Sequence, residues 1–140
     1  MRYNIEGNKN RKKRVKIRMT KSNSEFGQYI GMHLRKQENG EAEVELTVEK
    51  HHLNSQNIVH GGVLLSMMDL AMGAAASSFG GSVVTMDVQY RFFRPARLGD
   101  SIVARGHVLK NGKTIAVTKG TVYSDDTVLG EASGQFFKRD

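Results

Sequence analysis

Asp69 is the only charged side chain between Lys50 and Asp87. It interrupts an uncharged, small-residue run that opens His60-Gly61-Gly62 and ends at Phe79. A lone carboxylate in a segment that reads as a buried helix is costly to keep ionised, and such a group usually has a tight partner or a chemical task. His60-Gly61-Gly62 places flexible backbone N–H groups at the start of that helix, where developing negative charge is stabilised. A carboxylate and an anion-stabilising helix terminus together suit acyl transfer. Their spacing adds a constraint, because Asp69 lies eight residues beyond Gly61, about 12 Å along one helix. Both cannot touch one carbonyl from the same chain. If both act on it, Asp69 must face the Gly61 site of a second subunit. The expectation is an obligatory homodimer with two shared sites, with a homotetramer left open.

The elements around this run are legible from period and turn chemistry. A short helical turn from Ser22 or Ser24 leads to Phe26, Tyr29 and Ile30. Tyr29–Lys36 reads as a strand, and Asn39-Gly40 as a hairpin turn. Glu41–Glu49 alternates, with Ala42, Val44, Leu46 and Val48 on one face and Glu43, Glu45, Thr47 and Glu49 on the other, the pattern of a half-buried strand. A polar loop, His51–Val59, precedes a helix from about Gly61 to Ser78 that Gly80-Gly81 ends. Ser82–Phe93, Asp100–Leu109, Lys113–Tyr123 and Val128–Lys138 read as strands. Asn111-Gly112 and Asp125-Asp126 form their turns, and Pro95 and Gly99 mark the connection before the second of them. The helix is apolar nearly all round, so it must be covered on almost every side. The expected fold is α+β: a curled antiparallel sheet of five to six strands wrapped around one long central helix. Gly73 to Ser78 are small enough to let the strands approach it. Long outer strands with no evident cover suggest a second chain.

The chain has 140 residues and no cysteine. That length suits one domain, and the missing thiols exclude disulfides, Cys-based zinc sites and Cys nucleophiles. The net charge of +7 is unevenly placed. Residues 1–21 carry nine Lys/Arg against Glu6 alone, and the other residues sum to −1. The expected organisation is therefore a basic N-terminal arm, 1–21, and one domain, 22–140. The arm reads first as solvated polypeptide, with nucleic-acid contact and organelle targeting as weaker alternatives. No apolar signal segment follows it, and Val63–Phe79 is too short and too interrupted to span a membrane. The expected location is the cytoplasm.

Asn54-Ser-Gln-Asn-Ile-Val-His60-Gly61-Gly62 followed by Asp69 resembles the Asn-x5-His-Gly-Gly-x7-Asp pattern of hotdog-fold acyl-CoA thioesterases. The phenylacetic-acid-degradation (PaaI-like) branch is the nearest in pattern. Val84 to Ala96, the Arg94-Pro95-Ala96 and Leu98-Gly99-Asp100 turns, and Lys110-Asn-Gly-Lys113 fit the same branch, so the resemblance covers about residues 24–138. It implies hydrolysis of a thioester to a free acid and CoA, without metal or cofactor. It assigns Asp69 as nucleophile or general base, and the Gly61 N–H as the group that polarises the carbonyl. Asn54 and His60 support that carbonyl site, and Thr85 holds the water. Asn57 departs from the pattern, since many relatives have Gly there.

Each of these residues also has a plain structural reading. Asp69 could bond to Ser66 or to backbone, His60 could merely pack, Gly61-Gly62 could only ease helix entry, Asn54 could form a turn, and Thr85 could be an ordinary strand residue. Met67, Met68 and Met72 read as core, although adaptable methionines also suit an acyl tunnel. Substrate contacts are expected from Gly62 and Met68. CoA phosphates need cations, for which Arg91, Arg94, Lys110 and Lys113 are the candidates, with the two hairpin lysines first. His51, His52 and His60 fit no metal-ligand spacing. A competing reading is a non-catalytic acyl-CoA-binding hotdog module whose basic arm contacts nucleic acid.

Overall fold

The structure, a computed structural model, describes residues 20–21 and 24–139. The element order is β1 (Thr20–Lys21), α1 (Glu25–Ile30), β2 (His33–Glu38), β3 (Glu41–Thr47), a 3-10 turn (Lys50–His52), α2 (Gly61–Ser77), β4 (Ser82–Phe92), β5 (Ser101–Asn111), β6 (Ile115–Ser124) and β7 (Thr127–Arg139). All seven strands form one antiparallel sheet in the order β1-β2-β3-β5-β6-β7-β4. Six of them are long, and the sheet curls around α2 as expected. Two-residue β1 is an addition: it pairs with His33 and Leu34 of β2, so the last residues of the basic arm join the sheet. The rest of the arm, and what was expected of it, lies outside the described residues.

Tyr29 and Ile30 belong to α1 and not to a strand. Ser24 caps this helix by accepting the Gly27 N–H at 2.9 Å, and Gly31 ends it at φ 88°, a conformation that only Gly adopts without cost. The strand therefore starts later, at His33. Asn39 (φ 49°) and Gly40 (φ 78°) form the two-residue turn expected of them, and Asp125-Asp126 forms another between Ser124 and Thr127. Asn111-Gly112 does not turn the chain in that way. Neither residue has positive φ. The connection runs from Asn111 to Ile115, and the Gly112 N–H closes it on the Ile115 carbonyl at 3.0 Å.

The core lies between α2 and the concave face of the sheet. Met67, Met68 and Met72 of α2 are fully buried against Val44, Leu46, Ile102, Ala104, Val122 and Phe136. Removing a side chain such as Phe136 would cost about 3–5 kcal/mol. The close approach of helix and sheet depends on the strands as much as on the small residues of α2. A Cβ on Gly106 of β5 would lie 2.4 Å from the Ala71 carbonyl oxygen, so that strand lies directly against the helix backbone. Gly120 of β6 pairs with Gly106, and a Cβ there would meet Met72 at 3.1 Å.

One side of α2 stays uncovered. Gly62 and Leu65 are exposed, and Ser66, Asp69, Leu70 and Gly73 are half-buried. This stripe runs beside β4, an eleven-residue strand at the sheet edge. Val84, Met86 and Phe92 on β4, and Phe93 just after it, are each about half exposed.

Candidate active site

The loop before α2 is built by its own polar side chains. Asn54 accepts the N–H groups of Gln56 at 2.9 Å and Ile58 at 3.3 Å on its side-chain oxygen, and donates its own N–H to Ile58 O. Asn57 occupies the left-handed region at φ 59°. Asn reaches that region more readily than other side chains do, which accounts for Asn where relatives carry Gly. Asn54 thus shapes the loop with its side-chain carbonyl oxygen.

His52, whose spacing fits no metal site, has a structural place. It is 2% exposed. Its Nδ1 accepts the Glu49 N–H at 2.9 Å, so its Nε2 is the nitrogen that donates to Ile30 O. Both nitrogens are thereby occupied. The His52 carbonyl then accepts the His60 N–H at 2.8 Å, which fixes the entry to α2. Among the described residues no cluster of three or more His, Cys, Asp or Glu could hold a metal ion.

His60 is the N-cap of α2, at φ −58° and ψ 133°. Its Nδ1 accepts the Gly62 N–H at 2.8 Å, and its carbonyl accepts the Val63 N–H at 2.9 Å. The Gly61 N–H, first in the helix, has no intrahelical acceptor and no partner among the described residues. It is the free donor of this helix end, where the peptide dipoles add a partial positive charge. Two aromatic residues of β4 lie against Gly61. The Phe92 ring would stand 2.8 Å from a Cβ there. The Tyr90 hydroxyl donates to the Gly61 carbonyl at 3.3 Å. Burial pushes the Tyr90 phenol far above its ordinary ionisation range.

Two turns along α2, Asp69 accepts the Thr85 hydroxyl at 2.7 Å. Ser66 takes no part, since its hydroxyl bonds to Gly62 O at 2.7 Å. The carboxylate is not buried in a single chain: Asp69 is half-buried and Thr85 exposed. The cost of burying a charge, expected from the apolar run, is avoided by the open stripe. Helix geometry keeps Asp69 and Gly61 about 12 Å apart. Two surface hollows, one lined by Arg35, Glu45, Arg105 and Tyr123 and the other by Tyr29, His33 and His51, include none of Asp69, Gly61 or Thr85.

The expected substrate contacts are scattered. Met68 is in the core with no exposed surface. Gly62 has its N–H on His60 and its carbonyl on Ser66. Arg91, Arg94, Lys110 and Lys113 are exposed. Arg91 lies opposite Glu131, on the face of β4 turned away from Tyr90 and Phe92. Lys110 is near the end of β5 and Lys113 lies within the β5–β6 connection.

Residues 56–131 match the family model described as the Thioesterase superfamily. The chain belongs to this superfamily. A relative from Archaeoglobus fulgidus is 32% identical over 125 residues, covering 79% of this chain and 80% of that protein. Human acyl-coenzyme A thioesterase 13 is 36% identical over 81 residues, which are 56% of this chain and 58% of the human protein. The match thus spans little more than half of that thioesterase. The structure of the E. coli PaaI protein, from the phenylacetic acid degradation operon, superposes with a TM-score of 0.80 at 26% identity, covering 84% of this chain and 86% of that one. The superfamily member described here is PaaI-like, with the hotdog fold that the sequence pattern implied. None of its described helices is long and apolar enough to cross a membrane.

Proposed function

We propose that this thioesterase-superfamily chain hydrolyses acyl-CoA thioesters, with Asp69 as the base or nucleophile and the Gly61 N–H as the oxyanion donor. The observation that carries the reading is the Asp69–Thr85 pair on an open helix face, two turns from the free Gly61 N–H. With Asp69 as base, the water held beside Asp69 and Thr85 gives its proton to the carboxylate as its oxygen attacks the thioester carbon. The carbonyl oxygen becomes an oxyanion against the Gly61 N–H, and one such donor is worth about 3–4 kcal/mol in the transition state. Collapse breaks the carbon–sulfur bond, and the CoA thiolate takes up the proton, leaving a free acid and CoA. No metal or cofactor is required by this route. The named thioesterases among the relatives support the substrate class. Lys110 and Lys113 rank first as cations for the CoA phosphates, with Arg91 and Arg94 next.

The 12 Å separation makes a second copy part of the reading. The partner would cover the open stripe of α2 and the exposed β4 edge, an apolar surface of the kind that seeks pairing. Each site would then combine Asp69 and Thr85 of one subunit with Gly61 of the partner subunit.

The test is CoA-thiol release from a panel of acyl-CoAs by wild type and Asp69→Asn, with folding checked by circular dichroism. Release by wild type and its near-complete loss in Asp69→Asn are expected. Equal release by both would remove Asp69 from the mechanism. No release across the panel by a folded oligomer would favour the acyl-CoA-binding module instead. Salt-dependent nucleic-acid binding that disappears on deleting residues 1–19 would extend that alternative to the arm. The deletion stops at 19 because Thr20 and Lys21 pair with β2.

A further inference from the structure

Tyr90 lies in the Val84–Ala96 stretch that fits the family pattern but has no role assigned there, and it reaches the peptide next to the free donor. Two consecutive peptide units open α2. In the first, the His60 carbonyl is held by the Val63 N–H at 2.9 Å, and its N–H is the free group on Gly61. In the second, the Gly62 N–H is held by His60 Nδ1 at 2.8 Å, and the Gly61 carbonyl, which opens the α2 ladder to Leu65, also accepts the Tyr90 hydroxyl at 3.3 Å. Gly61 lies between the two units, and glycine has the softest backbone of any residue. A first helical turn also frays readily. A tie on the second peptide therefore restrains the Gly61 backbone, and with it the direction of the Gly61 N–H.

We infer that Tyr90 is a positioning residue for the Gly61 N–H, acting through its hydrogen bond to the Gly61 carbonyl. The inference rests on the thioesterase reading of the same site. An oxyanion donor is effective because it is aimed before the charge develops, so whatever holds Gly61 contributes to turnover without touching substrate. The surroundings of Tyr90 fit the role. Its ring packs edge-on against Phe92, with centroids 3.8 Å apart and planes at 80°, and Phe92 walls the Cα side of Gly61. Burial keeps the phenol protonated, so it remains a donor throughout any workable assay range.

The β4 register shows why Tyr90 can reach. Thr85 touches Asp69 and Tyr90 touches Gly61, so β4 runs antiparallel to α2 from the residue this chain gives to one shared site to the residue it gives to the other. With one residue taken up by the bulge after Thr85, the remaining four steps cover about 13 Å. That equals the helical distance from Gly61 to Asp69, about 12 Å. One strand therefore holds the carboxylate with one side chain and the donor end with another.

The experiment compares wild type, Tyr90→Phe and a variant with 4-aminophenylalanine at position 90, on one acyl-CoA, with thermal midpoints recorded. Tyr90→Phe keeps the ring and loses only the donor. The expected result is a kcat lower by about three- to tenfold, the worth of one neutral hydrogen bond. KM should stay within about twofold and the pH profile should keep its shape, since uniform binding is untouched. The amino variant, which restores a donor, should recover most of the loss. An unchanged kcat, or a change confined to KM, would overturn the assignment. The Gly61 and Gly62 amide resonances of the same proteins, read by nitrogen-15 NMR, need no turnover. They should shift in Tyr90→Phe and return in the amino variant, and identical spectra would overturn the tie itself. Absent wild-type turnover would sink the thioesterase reading alone, because the amide comparison still decides whether Tyr90 holds the peptide.

Discussion

Thr85 donates its hydroxyl to the Asp69 carboxylate at 2.7 Å, and it faces the helix only because β4 carries one residue too many. In a regular strand, residues five apart point to opposite faces. Thr85 and Tyr90 both point at α2, because the pairing with β7 slips between Thr85 and Asp87. Bulges of this kind re-aim a side chain beside a site. The bond is a charge-assisted one, worth about 1.5–3 kcal/mol. Thr85→Val should therefore lower kcat by about ten- to a hundredfold, and Thr85→Ser should stay within about threefold of wild type. Steady-state kinetics on one acyl-CoA decide it; equal losses in both variants would show that shape, and not the hydroxyl, matters.

If each site takes Asp69 from one subunit and Gly61 from the other, two dead variants should repair each other. Gly61→Pro removes the N–H, and Pro is well placed at a first helical position. The preceding His60, at ψ 133°, already has the extended backbone that Pro requires of its neighbour. The exposed Phe92 ring must swing aside for it. Equal mixing with Asp69→Asn, after subunit exchange, gives heterodimers with one intact site and about a quarter of wild-type activity overall. Proven heterodimers without activity would place Asp69 and Gly61 in separate roles.

Much of this arrangement is legible in residues 41–49, whose strict alternation buries Ala42, Val44, Leu46 and Val48, and in the glycine and asparagine punctuation around α2. The motif from Asn54 to Asp69 supplied the site residues by resemblance. What could not be read depends on contacts distant in sequence. The bulge leaves no local mark, since Met86 is as good a strand residue as its neighbours. The tight loop at Gly112 overrode the usual Asn-Gly turn because the strands end in a different register, with Asn111 opposite Ala116. The uncovered stripe that keeps Asp69 accessible is a property of where the sheet stops. The sequence assigns His52 no role, and only its buried partners, Glu49 N–H and Ile30 O, reveal it as a staple. Tyr90 falls in the Val84–Ala96 stretch of the resemblance, but its residue type gives it no role there beyond that of a strand-forming aromatic.

The close approach of β5 to α2 makes Gly106 the least replaceable glycine in the core. In Gly106→Ala, the new methyl would sit 2.4 Å from the Ala71 carbonyl oxygen and 2.6 Å from Met72 N. Neither group can yield without moving the helix. A loss of about 3 kcal/mol or more in unfolding free energy is expected. Gly73→Ala is the contrast. Its methyl meets only the Phe136 ring, at 3.1 Å, and the helix gains about 1 kcal/mol of propensity, so the net cost should be much smaller. Urea unfolding of both variants measures the difference, and equal losses would mean that the sheet yields where the backbone contacts say it cannot.

Glu43 is the buried acid of the outer sheet face, 5% exposed. Its carboxylate meets the Arg105 guanidinium at 3.0 Å, with Arg35–Glu45 and Lys36–Glu41 pairs beside it. Burial raises its ionisation point above the ordinary carboxylate value, with Arg35 and Lys36 pulling it down and Glu41 and Glu45 pushing it up. Burial outweighs the Arg105 contact, because desolvation of a charge pair often exceeds its attraction. The sign follows from linkage. A carboxyl that is harder to ionise when folded favours folding only while protonated, so its penalty is absent below the unfolded value and grows as pH rises through the folded one. Glu43→Gln keeps an oxygen for Arg105 and abolishes the ionisation. Its thermal midpoint should therefore exceed that of wild type at pH 7, and the gap should close as pH falls through the carboxylate range. A Gln variant less stable at pH 7, with the deficit shrinking in acid, would show that the Arg105 pair outweighs burial.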